Sequence, residues 1–147
     1  MEAVPLFKRY VKSPEIKVRH LMSSPPIVVS SGVRVDEAVR VMWDKRVGSV
    51  IVVDDEGRLA GIFTERDVIF AAAKEALCAS APITDLMSRN VITVGPDDDA
   101  VAVERMRQAN VRHLPVIDAS GKPVGMLSMR DIVDAASLLL RIFAQSE

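Results

Sequence analysis

The sequence is poor in the residues on which most enzyme chemistry depends. Its 147 residues hold one cysteine, two histidines, one tryptophan and one tyrosine. A lone cysteine, Cys78, excludes an internal disulfide and reads as a small apolar filler near a helix end. His20 and His113 lie 93 residues apart with no third ligand suggested, so no metal site is expected, and a helix cap explains Asp97-Asp98-Asp99 with fewer assumptions than a cation. No nucleophile–base pair and no glycine-rich phosphate loop occurs, which argues against catalysis. No apolar run reaches the roughly 18 residues of a membrane helix, and the opening "MEAVPLFKRYVK" does not read as a signal peptide. A formal net charge of −1 lacks the footprint of a nucleic-acid binder. Lys8, Arg9, Lys12, Lys17 and Arg19 make the first twenty residues locally basic, the mark of a solvated arm. The expectation is a cytoplasmic, non-catalytic protein with no membrane and no nucleic-acid partner.

What the chain does contain is a repeat. Gly61-Ile62-Phe63-Thr64-Glu65-Arg66-Asp67 returns 64 residues later as Gly125-Met126-Leu127-Ser128-Met129-Arg130-Asp131. The stretches before them, "VGSVIVVDDEGRLA" and "VRHLPVIDASGKPV", align without a gap, and upstream "HLMSS" faces "DLMSR" with one extra residue in the first copy. Two copies of so long a period indicate a duplicated unit rather than a solenoid. The division expected is an N-terminal segment over 1–15, a first repeat over 16–79 and a second over 80–147, packed as one module.

Local signals give each unit the order β-α-β-β-α. Ser13 and Pro14 open a short helix through Met22, and Pro25-Pro26 forces extended backbone into a strand over Ile27, Val28 and Val29. Val35, Ala38, Val39 and Met42 share a helical face, with Trp43 at its border as a packing residue at a seam. Ser49–Val53 and Arg58–Phe63 form a hairpin about Asp54-Asp55-Glu56-Gly57, followed by a helix from Thr64 to about Ala79. In the second unit Ile83–Met87 is the entry turn, Val91–Val94 the first strand, and Asp98 the N-cap of a helix through Ala109. Leu114–Ile117 and Pro123–Leu127 make the second hairpin. The last helix runs from about Met129 to Phe143.

The doubled glycine–apolar–apolar–hydroxyl signature closing on aspartate, each time behind a matching hairpin and helix, resembles the CBS domain family, and the tandem over 16–143 resembles a stand-alone CBS pair, or Bateman module. The resemblance implies an α+β fold of pseudo-twofold symmetry, its sheets packed face to face with helices outside. It also implies two clefts between the repeats that take AMP, ADP or ATP in many members, and flat homodimers formed through the terminal helices.

The residues support that chemistry in their own right. An aspartate in the first turn of a helix, as at Asp67 and Asp131, can accept both hydrogen bonds of a ribose diol. Thr64 and Ser128 stand where strand becomes helix, beside backbone N–H groups suited to an anion. Arg66 and Arg130 offer charge to a phosphate. Ile27, Val28, Val29 and Val91, Ile92, Val94 offer a flat apolar slot for a base. In "RHLPV", Arg112, His113 and Pro115 lie where relatives of this kind approach the phosphates or sugar, which makes the cleft of Asp131 the more anion-friendly one. The same spacing of Thr64 to Asp67 and Ser128 to Asp131 is also that of a capping box, and the two roles are compatible.

The function expected is an adenine-nucleotide sensor acting on its own dimer or on a further protein. The alternatives are a ligand-free structural interaction module and a binder of S-adenosylmethionine or NAD. Self-association is expected because Ile132, Val133, Ala135, Ala136, Leu138, Leu139, Leu140, Ile142 and Phe143 wrap nearly all round the last helix, which needs cover on every side. A second chain is the favoured cover, and the N-terminal segment with Val4, Leu6, Phe7 and Val11 the other.

Overall fold

The computed structural model describes residues 16–74, 79–99 and 102–146. The expected features at Ser13, Pro14 and Cys78, and the apolar residues of the N-terminal segment, lie outside them. In chain order the elements are α1 (Val18–Leu21), β1 (Val28–Ser30), α2 (Val35–Lys45), β2 (Ser49–Val53), β3 (Leu59–Thr64), α3 (Glu65–Ala73), a 3-10 turn (Ile83–Asp85), α4 (Ala102–Ala109), β4 (His113–Ile117), β5 (Pro123–Ser128) and α5 (Met129–Ala144). Among the described residues no helix is long and apolar enough to cross a membrane.

The pseudo-symmetry reaches down to single dihedral angles. In the first repeat β1 runs parallel to β2, and β2 antiparallel to β3, with a register shift at Val52/Val53. The second hairpin, β4 against β5, shifts at the equivalent Val116/Ile117. Arg46 and Asn110, at equivalent places after α2 and α4, both take the left-handed conformation, at φ 55° and 53°. In the hairpin turns Gly57 and Gly121 take φ 78° and 84°, where a side chain would be strained. Asp54 and Asp118 each hold their turn by accepting backbone N–H bonds, Asp54 from Glu56 and Arg58, Asp118 from Ser120 and Lys122.

One expected strand is corrected. Val91–Val94 does not form one; only Val94 pairs, as an isolated parallel bridge to Val116. That bridge is the counterpart of Val29 against Val52 in β1 and β2. Gly95-Pro96 follows at once, and proline has no N–H to extend a ladder. Asp98 accepts the Gly95 N–H at 2.8 Å, so its carboxylate closes the turn that precedes α4; the N–H groups of the expected cap lie outside the described residues. The helix expected to reach Ala79 is α3, which ends at Ala73.

Each repeat has its own core, and each core is completed by the other repeat's lead-in. Around β2 and β3 lie Val35, Ala38, Val50, Val52 and Phe63, joined by Ile83 and Met87 from the start of the second unit. Around β4 and β5 lie Val94, Met106, Leu114, Val116 and Leu127, joined by Val18 from α1. Val18 and Ile83 are both fully buried. Backbone bonds fix the exchange: Ser23 and Met126 pair in both directions at 2.9 and 3.0 Å, and Ser88 and Ile62 do the same at 2.9 and 3.0 Å. The signature glycines make the crossing feasible. A Cβ on Gly61 would stand 2.7 Å from Met87 Sδ and 2.8 Å from Ser88 O, and one on Gly125 would stand 2.5 Å from Met22 Sδ and 3.0 Å from Ser23 O. This is why "LMSS" and "LMSR" repeat along with the glycines. The two hairpins also meet directly, the Leu59 N–H donating to Gly121 O at 3.0 Å.

Candidate functional site

The signature residues sit at two equivalent strand-to-helix junctions. Thr64 caps α3 in extended backbone (φ −125°, ψ 166°), and Ser128 caps α5 likewise (φ −113°, ψ 159°). The Asp67 N–H donates to Thr64 Oγ1 at 3.3 Å, while Asp67 Oδ2 accepts from the Thr64 N–H at 2.8 Å and from its hydroxyl at 3.2 Å. Ser128 and Asp131 repeat the arrangement at 3.1, 2.9 and 2.8 Å. The capping box is therefore present at both junctions, and it spends one carboxylate oxygen of each aspartate on the protein's own backbone. Further bonds tie the helices down: the Glu65 N–H donates to Gly48 O at 3.0 Å and the Met129 N–H to Arg112 O at 2.9 Å. Of the first three helical N–H groups, those of Arg66 and Arg130 have no partner among the described residues.

A cavity opens in front of each aspartate. The one holding Asp131 and Ser128 has a volume of about 800 Å³, and its opposite wall is Ser23, Pro25, Pro26 and Ile27 from the first repeat. The one holding Asp67 and Thr64 measures about 530 Å³ and faces Ser88, Asn90, Val91 and Ile92 from the second. Both fall in the size range of small-molecule sites, and both are built by the two repeats jointly, as the crossed lead-ins require. A third hollow of about 1080 Å³, lined by Val39, Trp43, Val68 and Ile69, contains neither aspartate. It is an apolar groove between α2 and α3.

The expected base-binding residues divide. Ile27, Val91 and Ile92 line the cavities. The expectation is corrected for Val28, Val29, Val94 and Pro115, which line neither. Val29 and Val94 are buried in the two cores, Val28 is exposed on the other side of β1, and Pro115 is fully buried within β4. In β1, alternation along the strand sends Val28 and Val29 to opposite faces, so the run could not have shared one slot.

Arg66 lines the cavity of Asp67, and Arg130 that of Asp131. Arg112 and His113 line both, together with Gly48 and Glu65, so these donors belong to a wall common to the two cavities and not to that of Asp131 alone. A Cβ on Gly48 would stand 3.0 Å from Glu65 Oε1 and 3.4 Å from His113 Nε2, which places acid and imidazole side by side there. Burial holds the His113 pKa below its ordinary value; Glu65 opposes this, Arg112 adds to it, and Asp131 opposes it. The imidazole is thus neutral near pH 7 and offers one donor and one acceptor. Among the described residues, Arg66, Arg112 and Arg130 form no ion pair, which leaves three guanidinium groups for an anion.

Sequence reasoning missed Ser23, Gly48 and Glu65 as cavity residues. The signal for Ser23 lay in the repeated "LMS", and that for Glu65 in its place directly after the capping threonine. The Ser23 hydroxyl donates to Asp131 Oδ1 at 2.8 Å across the boundary between the repeats.

The family model of the CBS domain matches residues 18–74 and 83–138. The chain belongs to the CBS domain family and carries two of its repeats. Among curated proteins it is 33% identical over 120 residues to an uncharacterised 17.7 kDa protein of Acidianus ambivalens, covering 81% of this chain and 72% of that one. Of several larger enzymes that it also resembles, the chain spans only about a quarter of the length, 22–25%. Among solved structures, the CBS domain pair of protein MJ0100, in complex with 5′-methylthioadenosine and S-adenosyl-L-methionine, matches at TM-score 0.75 and 29% identity, over 91% of this chain and 100% of that one. The CBS domain protein PAE2072 of Pyrobaculum aerophilum, complexed with AMP, matches at TM-score 0.77 and 29% identity, over 88% and 99%.

Proposed function

We propose that this chain is a non-catalytic cytoplasmic regulatory module whose two cavities take adenosine-containing ligands, AMP, ADP or ATP foremost. One observation carries the reading: two equivalent carboxylates, fixed at helix N-termini, each face a cavity of nucleotide size walled by apolar side chains and unpaired arginines. In this reading the ribose hydroxyls bond Asp67 and Asp131, the base lies against Ile27 or against Val91 and Ile92, and the phosphates meet Arg66, Arg130 and the shared pair Arg112 and His113. Repeats 16–79 and 80–147 act as one unit behind the segment 1–15. A ligand touching both repeats stabilises one relative placement of them, which is how occupancy reaches a partner.

The partner closest to hand is a second copy. In α5, Leu138, Leu139, Leu140, Ile142 and Phe143 are each at least half exposed, and Trp43 stands exposed at the groove between α2 and α3. Exposed apolar side chains gathered along one helix in this way mark an interaction surface. Light scattering on the purified protein should give the mass of a dimer, and Leu140→Glu with Phe143→Glu should give a monomer.

S-adenosylmethionine is the second reading, favoured by the ligands of the similar MJ0100 pair. Its sulfonium and amino charges suit Glu65 and Asp134, which line the larger cavity. Thermal unfolding with AMP, ADP, ATP and S-adenosylmethionine separates the two. A ligand at 100 times its Kd adds about 2.7 kcal/mol, and that gain should vanish in the doubly substituted Asp67→Asn, Asp131→Asn protein. Absence of any shift with all four ligands would leave a purely structural interaction module.

A further inference from the structure

The two cavities are equivalent in backbone and inequivalent in one hydrogen bond. Asp131 Oδ2 is spent on the cap, and Asp131 Oδ1 accepts the Ser23 hydroxyl at 2.8 Å. Asp67 Oδ2 is spent in the same way, but its Oδ1 has no partner among the described residues. The counterpart of Ser23 is Ser88, which keeps the same two-way backbone pairing, to Ile62 instead of Met126, yet its hydroxyl makes no hydrogen bond among the described residues. The Ser23 backbone is held in place by its N–H and its carbonyl, engaged at 2.9 and 3.0 Å, which keeps the hydroxyl within reach of Asp131.

We propose that Ser23 is a specificity-determining residue that ranks the two cavities, so that a ribose diol enters at Asp67 first and at Asp131 only in competition with the Ser23 hydroxyl. The inference rests on the ribose-binding reading above. A carboxylate oxygen has two acceptor directions. At Asp67 both directions of Oδ1 are open, so it takes both hydroxyls of the diol. At Asp131 one direction is filled, and the diol must displace Ser23 or bind with one hydroxyl unpaired, which is penalised once water is excluded. The smaller cavity, about 530 Å³ against about 800 Å³, is therefore the first to fill despite its size.

Calorimetric titration of the full chain with AMP tests this. The wild-type protein should show two steps of unequal affinity. Asp67→Asn should abolish the tighter step and Asp131→Asn the weaker one. Ser23→Ala should tighten the weaker step roughly three- to tenfold, the equivalent of one exchanged hydrogen bond, and leave the tighter step alone. Because that is a gain of affinity, loss of folding cannot mimic it, and circular dichroism melts check the two asparagine variants. A tighter step that survives Asp67→Asn and disappears in Asp131→Asn overturns the ranking alone, as does a Ser23→Ala protein whose weaker step is unchanged or weakened. No heat from AMP in the wild-type protein, and none from S-adenosylmethionine, overturns the ribose-binding reading itself and this ranking with it.

Discussion

Met87 lays its thioether directly on the backbone of Gly61. A Cβ at that glycine would come within 2.7 Å of the sulfur and 2.8 Å of the Ser88 carbonyl. The sulfur is the end of a flexible side chain, but the carbonyl is held by its bond to the Ile62 N–H at 3.0 Å, so relief requires the lead-in to move. Gly61→Ala should destabilise the fold by about 1–3 kcal/mol, the usual scale of overpacking, and Gly125→Ala by a similar amount through Met22 and Ser23. Urea denaturation of the two variants measures both.

The crossed cores give a second expectation. Ile83 belongs to the second repeat in sequence and to the first in packing. Ile83→Ala removes a fully buried side chain and should lose about 2–5 kcal/mol. Hydrogen exchange should show the loss of protection in β2 and β3 of the first repeat. Val18→Ala should act in the reverse sense, loosening β4 and β5.

His113 supplies a pH dependence. Its folded pKa lies below its ordinary value because it is buried, so the unfolded chain binds more protons between the two values. Stability is then full above the unfolded value of about 6.5, falls as pH drops from there through the folded value, and levels off below it. His113→Gln should flatten the melting temperature across pH 7 to 5 relative to the wild type. Glu65, Arg112 and Asp131 face the ring, and their charges are left in place by that substitution.

The caps are testable apart from any ligand. Thr64→Ala removes the oxygen that accepts the Asp67 N–H and should lose about 1 kcal/mol, within a range of roughly 0.5–2. Thr64→Ser should restore most of it. Denaturation midpoints report both.

Much of this was legible in the sequence, because the duplication let every weak local signal be read twice. The hairpins, their turns and helices α2, α3 and α5 came from period, turn chemistry and capping residues, all of them local. The signature's glycine and capping pair were legible too, since Thr64 and Asp67 interact within one turn. What escaped depends on tertiary placement. Val91–Val94 has strand-like composition, but only Val94 finds a partner strand before Gly95 and Pro96 turn the chain away. The choice of which β-branched residue faces a cavity and which a core, as for Ile27 against Val29, is set by register, which a three-residue run does not reveal. Arg112 and His113 line both cavities because the start of β4 lies beside Gly48 of the first repeat, and Ser23 reaches Asp131 across 108 positions of chain, beyond any local pattern.

The exchange of lead-ins has a mechanical corollary. Neither half owns a complete interior, so cutting the chain in the middle would not yield two smaller proteins but two fragments that need one another. Mixed in equal amounts, such fragments should reassemble, whereas either alone should stay open to protease. A molecule that arose by copying one unit has in this way become indivisible, and each crevice is walled by residues encoded on both sides of the duplication.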